Sequence, residues 1–103
     1  MSVLVNFAMF PTDTGSSLST PVSKVIELIK NSGVQYQLGP MGTTIETEGM
    51  EEALDVINQA HTLLAKNHDR IYTTITIDAR KGDVGRMQSK IQSIENNIGK
   101  VNT

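Results

Sequence analysis

Val34-Gln-Tyr-Gln-Leu-Gly-Pro-Met-Gly-Thr-Thr-Ile-Glu-Thr47 reads as two short strands joined by a tight corner. Val34, Tyr36 and Leu38 alternate with Gln35 and Gln37, the period-two pattern of a strand with one apolar face. Gly39 to Gly42 forms the turn. Thr43 to Thr47 is the second strand, with Ile45 on one face and Thr44 and Glu46 on the other. What flanks this strand pair decides the fold, because strands that follow one another directly behave differently from strands separated by helices.

Both flanks read as helix. Upstream, Ser19 or Thr20 serves as N-cap, with Pro21 at the first helical position. Val22, Val25, Ile26 and Ile29 then make one apolar stripe, and Gly33 ends the helix with a left-handed cap. Downstream, a helix runs from about Met50 to Asn67. Its stripe is Met50, Ala53, Leu54, Ile57 and Leu64, with His61 on the same side. Outside these lie two longer strands. In Ser2 to Phe10, Val3, Val5, Phe7 and Met9 face one way and Leu4, Asn6, Ala8 and Phe10 the other. In Arg70 to Arg80, Ile71, Thr73, Ile75 and Ile77 oppose Tyr72, Thr74, Thr76 and Asp78. Asp83 caps a last helix, whose apolar residues Val84, Met87, Ile91, Ile94 and Ile98 recur at spacings of three and four. Such a narrow seam suits one flat partner surface.

The predicted order is strand, helix, strand, strand, helix, strand, helix. That is the α+β, ferredoxin-like βαββαβ sandwich with an additional C-terminal helix. Right-handed crossovers put the two main helices on one face of an antiparallel four-stranded sheet. A chain of 103 residues with no internal linker or low-complexity run makes one domain, residues 1–103.

Composition narrows the function. Nine basic against eleven acidic residues give a net charge of −2, which argues against a phosphate-backbone binder. Two Phe, two Tyr and no Trp argue against a base-stacking platform. No Cys is present, so disulfides, thiolate nucleophiles and cysteine metal sites are excluded. No signal peptide is recognisable, and no stretch approaches the roughly 20 apolar residues of a membrane span. The expectation is a cytoplasmic protein without membrane insertion. His61 and His68 have no carboxylate at metal-ligand spacing, so no metal is expected. His61 reads as a packing residue and His68 as a favourable charge at a helix end. No phosphate-binding loop follows a strand.

The sheet face away from the helices carries Leu4, Asn6, Ala8, Phe10, Gln35, Gln37, Thr44, Glu46, Tyr72, Thr74 and Thr76. It is too apolar in the first strand for a solvated face and too polar in the last for a core. Uncharged hydrogen-bonding groups with one carboxylate suit a surface covered by a second subunit and converging on a small ligand. Two sheets meeting across a two-fold axis would give a dimer or tetramer, with the extra helix at an edge or a second contact. An ordinary half-wet sheet in a monomer is the alternative.

The strings Gly33-Val-Gln-Tyr-Gln-Leu-Gly-Pro-Met-Gly-Thr-Thr-Ile-Glu46 and Arg70-Ile-Tyr-Thr-Thr-Ile-Thr-Ile-Asp-Ala-Arg80, with the Gly-, Ser- and Thr-rich loop from Pro11 to Pro21, resemble the small YkoF-like thiamine-binding proteins. The likeness runs over nearly the whole chain. It implies a homotetramer built as a dimer of dimers, and binding of thiamine or its hydroxymethylpyrimidine part without catalysis or a further cofactor. Relatives commonly have Gly directly after the Glu, whereas this chain reads Glu46-Thr-Glu48-Gly49.

Residue chemistry fits such a ligand. An aminopyrimidine offers an exocyclic amine beside ring nitrogens, and a thiazolium is a permanent cation. Glu46 can serve either end through charge-assisted bonds. Thr43 and Thr44 can meet remaining polar atoms after the Met41-Gly42 corner, and Asn6 is the one amide of an otherwise apolar strand. Phe10 or Tyr72 can stack on a ring. Ser16, Ser17 and Ser19 can close over it from the loop. Each has a plainer reading as strand, turn, packing or loop residue. Two other functions compete: a small dimeric α+β-barrel enzyme using Glu46 with Tyr72 as acid/base pair, and a pure assembly module.

Overall fold

The computed structural model describes residues 1–15 and 17–103. Its elements are β1 (Ser2–Pro11), α1 (Ser19–Ser32), β2 (Gln35–Leu38), β3 (Thr43–Thr47), α2 (Met50–Ala65), β4 (Ile71–Arg80) and α3 (Arg86–Ile98). They form the ferredoxin-like sheet expected from the order of elements, antiparallel with strand order β2-β3-β1-β4. β1 lies centrally and is the most buried of the long strands. It pairs with β3 from Val3↔Thr47 to Phe7↔Thr43, and with β4 from Ser2↔Arg80 to Pro11↔Ile71.

The core sits between the sheet and the first two helices. Val3, Val5, Phe7 and Met9 of β1 and Ile45 of β3 meet Val25 and Ile29 of α1 and Ala53, Val56, Ile57, Ala60 and Leu64 of α2. The last set corrects the expected α2 stripe. Met50 and Leu54 are exposed, His61 points away from the core, and Val56 and Ala60 take their places. The small Ala53 and Ala60 let the helix approach the sheet closely, so the apolar stripe is centred about them.

Two other expectations shift. α1 begins one or two residues early, with Leu18 at the cap and no side-chain cap. Pro21 therefore falls at the third helical position, still within the first turn, where a missing N–H costs nothing. Alternation assigns Leu38, Ile75 and Ile77 to the helix-facing side and so predicts them in the core, yet all three are exposed. Only Ile71 and Thr73 of β4 are even partly covered, because β4 is an edge strand and its second half, although paired with the buried Val5 and Phe7, lies to one side of the helices. Gly33 closes α1 in the left-handed conformation as expected, with φ 82°.

Candidate binding face and the cap of the last helix

Strand alternation puts Ser2, Leu4, Asn6, Ala8 and Phe10 on the face that α1 and α2 leave open. The register places Thr44 and Glu46 of β3 beside Asn6 and Leu4. On the other side, Tyr72, Thr74, Thr76, Asp78 and Arg80 lie beside Phe10, Ala8, Asn6, Leu4 and Ser2. The face divides into two halves with different chemistry.

At the Ser2 end, Glu46 is only 4% exposed and holds four donors. Its Oε2 accepts from the Ser2 hydroxyl at 2.6 Å and from the backbone N–H groups of Gly85 at 2.8 Å and Arg86 at 3.0 Å. Its Oε1 accepts from the Met87 N–H at 3.2 Å. These N–H groups belong to the first turn of α3, which has no partner for them within the helix. The residue at the N-cap position, Gly85, has no side chain to offer. Glu46 thus caps a helix about forty residues downstream, and its charge sits favourably at the positive end of the helix dipole. This replaces Asp83, the expected cap.

Arg86 completes the network. It is 4% exposed, the one buried side chain of α3. Its Nε donates to the Ser2 hydroxyl at 2.9 Å and its Nη2 to the carbonyls of Ser2 and Asp78 at 2.8 and 2.7 Å. Its Nη1 pairs with the Asp78 carboxylate at 2.8 Å. Ser2 therefore donates to Glu46 while accepting from Arg86, joining acid and base through one hydroxyl. Among the described residues, no buried side-chain nitrogen or oxygen is left without a partner. Leu4, between Glu46 and Asp78 in the register, is buried at the same end.

Burial pushes the Glu46 carboxyl pKa up. The bonds from the Ser2 hydroxyl and the Arg86, Met87 and Gly85 N–H groups outweigh it, and the net effect holds the carboxyl below the ordinary glutamate range. A lowered folded-state pKa means that the stabilisation is fully present above the unfolded value, about 4.3. It is lost as pH falls through the lower folded value. Thermal melts from neutral pH to pH 2 are expected to show an acid-induced loss that shrinks in Glu46→Gln. An identical acid profile in both proteins would contradict this assignment.

At the other end the face is open. The Asn6 Nδ2 donates to the Thr44 hydroxyl oxygen at 2.9 Å, which leaves the Thr44 proton free to donate outward. The Thr76 hydroxyl donates to the Asn6 carbonyl at 3.3 Å. Phe10 and Tyr72 lie side by side with ring centroids 5.6 Å apart, tilted by 37°. Tyr72 is half exposed and Phe10 half buried. Next to them, Ala8 and Phe10, the start of α1 at Val22, and the Gly39–Gly42 corner enclose an apolar cleft of about 280 Å³. The corner is closed by the Gly39 N–H donating to the Gly42 carbonyl at 2.9 Å. A Cβ on Gly39 would stand 2.8 Å from that same oxygen, and one on Gly42 would stand 2.9 Å from Asn6 Oδ1. Gly39 thus lets the corner close on itself, and Gly42 lets it pass close to Asn6 and the Phe7 carbonyl.

Of the sequence-predicted residues, the fold thus brings Asn6, Thr44, Phe10 and Tyr72 together on one accessible surface. Glu46 shares the face but lies under α3. Thr43 is buried on the opposite side, beside Phe7, because strand alternation turns it away from Thr44. Ser17 is exposed in the loop before α1, Ser19 is the first residue of α1, and Ser16 lies outside the described residues. His68 is half-buried in the loop after α2, its Nδ1 3.0 Å from Asp13 Oδ1, while Asp13 Oδ2 accepts from the Asp69 N–H at 2.8 Å. The Asp69 N–H, with His68, holds the Asp13 carboxyl below its ordinary range against a small opposing effect of burial. No group of three potential metal ligands occurs among the described residues. No helix there is long and apolar enough to cross a membrane.

Ser2, Asp78 and Arg86 escaped the sequence reading. Asp78 was on the correct face by alternation. Arg86, a lone base between two positions of an apolar helical seam near a helix start, was the available signal.

A family model described as thiamine-binding protein matches residues 5–95. The chain belongs to the thiamine-binding protein family. The UPF0045 protein of Methanothermobacter thermautotrophicus is 32% identical over 98 residues, covering 93% of this chain and 99% of that one. A UPF0045 protein of Mycobacterium tuberculosis is 30% identical over 95 residues, 92% and 93% of the two chains. Among solved structures, a protein of Methanocaldococcus jannaschii superposes with a TM-score of 0.80 at 28% identity, covering 90% of this chain and 95% of that one. A Thermotoga maritima protein, provisionally assigned to thiamine biosynthesis or salvage, superposes with a TM-score of 0.79 at 26% identity, covering 91% and 99%.

Proposed function

We propose that this protein is a non-catalytic binder of thiamine or of its hydroxymethylpyrimidine part, acting in thiamine salvage, transport or regulation. The family supports the ligand class. The observation that carries the reading is the uncharged hydrogen-bonding pair Asn6–Thr44, on the open face that also carries, four residues further along β1, the Phe10–Tyr72 rings and the corner cleft. An aminopyrimidine needs an acceptor for its amine and a donor for the adjacent ring nitrogen. Asn6 Oδ1 and the free Thr44 proton supply that pair. The two rings offer a stacking wall, and their faces suit a thiazolium cation.

An open sheet face alone gives a shallow seat. A second protomer's face closing over it would complete the enclosure, so the reading includes a homo-oligomer, a dimer of sheet-packed dimers. Exposed Tyr72 at the site, and Ile94 and Ile98 on α3, support added burial in such an assembly. Ser17 would approach from the α1 loop. A cytoplasmic location is in keeping with a chain lacking cysteine. The barrel-enzyme alternative draws no support, since Glu46, the acid it requires, already serves four donors.

Isothermal titration calorimetry with thiamine and with 4-amino-5-hydroxymethyl-2-methylpyrimidine tests this. Saturable binding of at least one is expected. Absence of heat from both at millimolar concentration would overturn the proposal.

A further inference from the structure

The ties between α3 and the rest of the chain gather in its first turn. Gly85, Arg86 and Met87 donate to Glu46, and the Arg86 side chain grips Ser2 and Asp78. Beyond that turn the grip is slight. Ile91 and Glu95 are half-buried, whereas Ile94 is 51% and Ile98 72% exposed. Among the described residues, the later side-chain hydrogen bonds of α3 stay within the helix and the tail that follows it. The connection from β4 contains Gly82 and Gly85 with φ of 118° and 109°, conformations that give this link two natural pivots.

We infer that α3 is a releasable arm latched by Glu46, and that docking of the arm and engagement of Glu46 by a cationic or amine-bearing heteroaromatic ligand exclude one another. With α3 docked, Glu46 is 4% exposed, and no ligand atom reaches its carboxylate. A ligand that takes the carboxylate must first displace the Gly85, Arg86 and Met87 N–H groups. Binding there therefore shifts the arm toward its undocked state, and docking weakens binding by the same factor. Lifting the first turn also frees Met87 and Ile91, which joins the already exposed seam of α3 into one apolar stripe. The Asn6–Thr44 site lies one step along the same strands from Glu46, so a ligand seated there is placed to reach it once the arm is lifted. The latch itself stands on geometry alone. The ligand half rests on the proposed function.

Hydrogen–deuterium exchange on the full chain tests both halves. Without ligand, Glu46→Gln is expected to speed exchange of the amides of residues 85–92 at least tenfold and to leave them far less protected than the core amides of β1 and β3. Ser2→Ala, which removes one of the four Glu46 donors and the acceptor of Arg86 Nε but leaves the three backbone bonds to Glu46, is expected to give an intermediate increase. It carries the test if Glu46→Gln does not fold. Unchanged protection over residues 85–92 overturns the latch. In the second arm, saturating thiamine is added to the unsubstituted protein, with faster exchange over the same segment as the expected result. If calorimetry shows thiamine bound while the segment stays protected, the mutual exclusion is wrong. If neither thiamine nor the pyrimidine binds, the ligand half falls with the proposed function, and the first arm alone decides the latch.

Discussion

Glu46→Ala should lower global stability by about 3 kcal/mol and Tm by at least about 10 °C. The substitution leaves the Ser2 hydroxyl and three helix-start N–H groups without their acceptor, in a place where Glu46 was 4% exposed. Each buried donor that loses its partner costs about 1–3 kcal/mol. Four of them would sum to more than the predicted loss, but the first turn of α3 can lift and let water in. That escape sets the ceiling, because the loss cannot exceed what docking of the arm contributes. The buried Arg86 guanidinium also loses the carboxylate that its Ser2 bond leads to. Chemical denaturation at neutral pH measures the effect, and a loss under about 1 kcal/mol would mean that the cap is incidental to the fold.

Asn6→Ala is expected to weaken thiamine or pyrimidine binding about 30-fold, or about 2 kcal/mol, with little change in stability. Asn6 is exposed and lies outside the core, so its removal creates no cavity. It does remove the proposed acceptor for the ligand amine and the group that orients the Thr44 hydroxyl. Sites that recognise a ligand by hydrogen bonding discriminate strongly because the unmatched partner is left unpaired. Calorimetric titration of the variant checks this. An unchanged affinity would move the ligand away from the Asn6–Thr44 pair.

Much of the architecture was legible from periodicity. The paired strands around the Gly39–Gly42 corner, flanked by helical stripes, leave few ways to bury the apolar residues of Ser2 to Phe10. Alternation then assigned Asn6, Thr44, Glu46 and Tyr72 to one face. Where the reading failed, the reasons were tertiary. Helical spacing puts Leu54 in the α2 stripe, whereas the helix packs on the sheet through the small Ala60 and leaves Leu54 exposed. Ile75 and Ile77 have strand chemistry and pair with the buried Phe7 and Val5, but the edge position of β4 leaves them to one side of the helices. Thr43 was grouped with Thr44 by proximity in sequence, although neighbours on a strand point oppositely. The role of Glu46 was the deepest gap. Local pattern names a carboxylate on a strand, and nothing local says that a helix start forty residues away supplies its donors.

That distance has a consequence for the order of assembly. A helix of thirteen residues, Arg86–Ile98, is too short to persist alone in water, and its own N-cap residue is a glycine. It gains its terminator only when β1 and β3 are paired, which brings Ser2 and Glu46 together across the sheet. α3, which follows these strands in chain order, is therefore also the last of the described elements that can become rigid. Until then the Glu46 carboxylate and the first N–H groups of α3 are left to water.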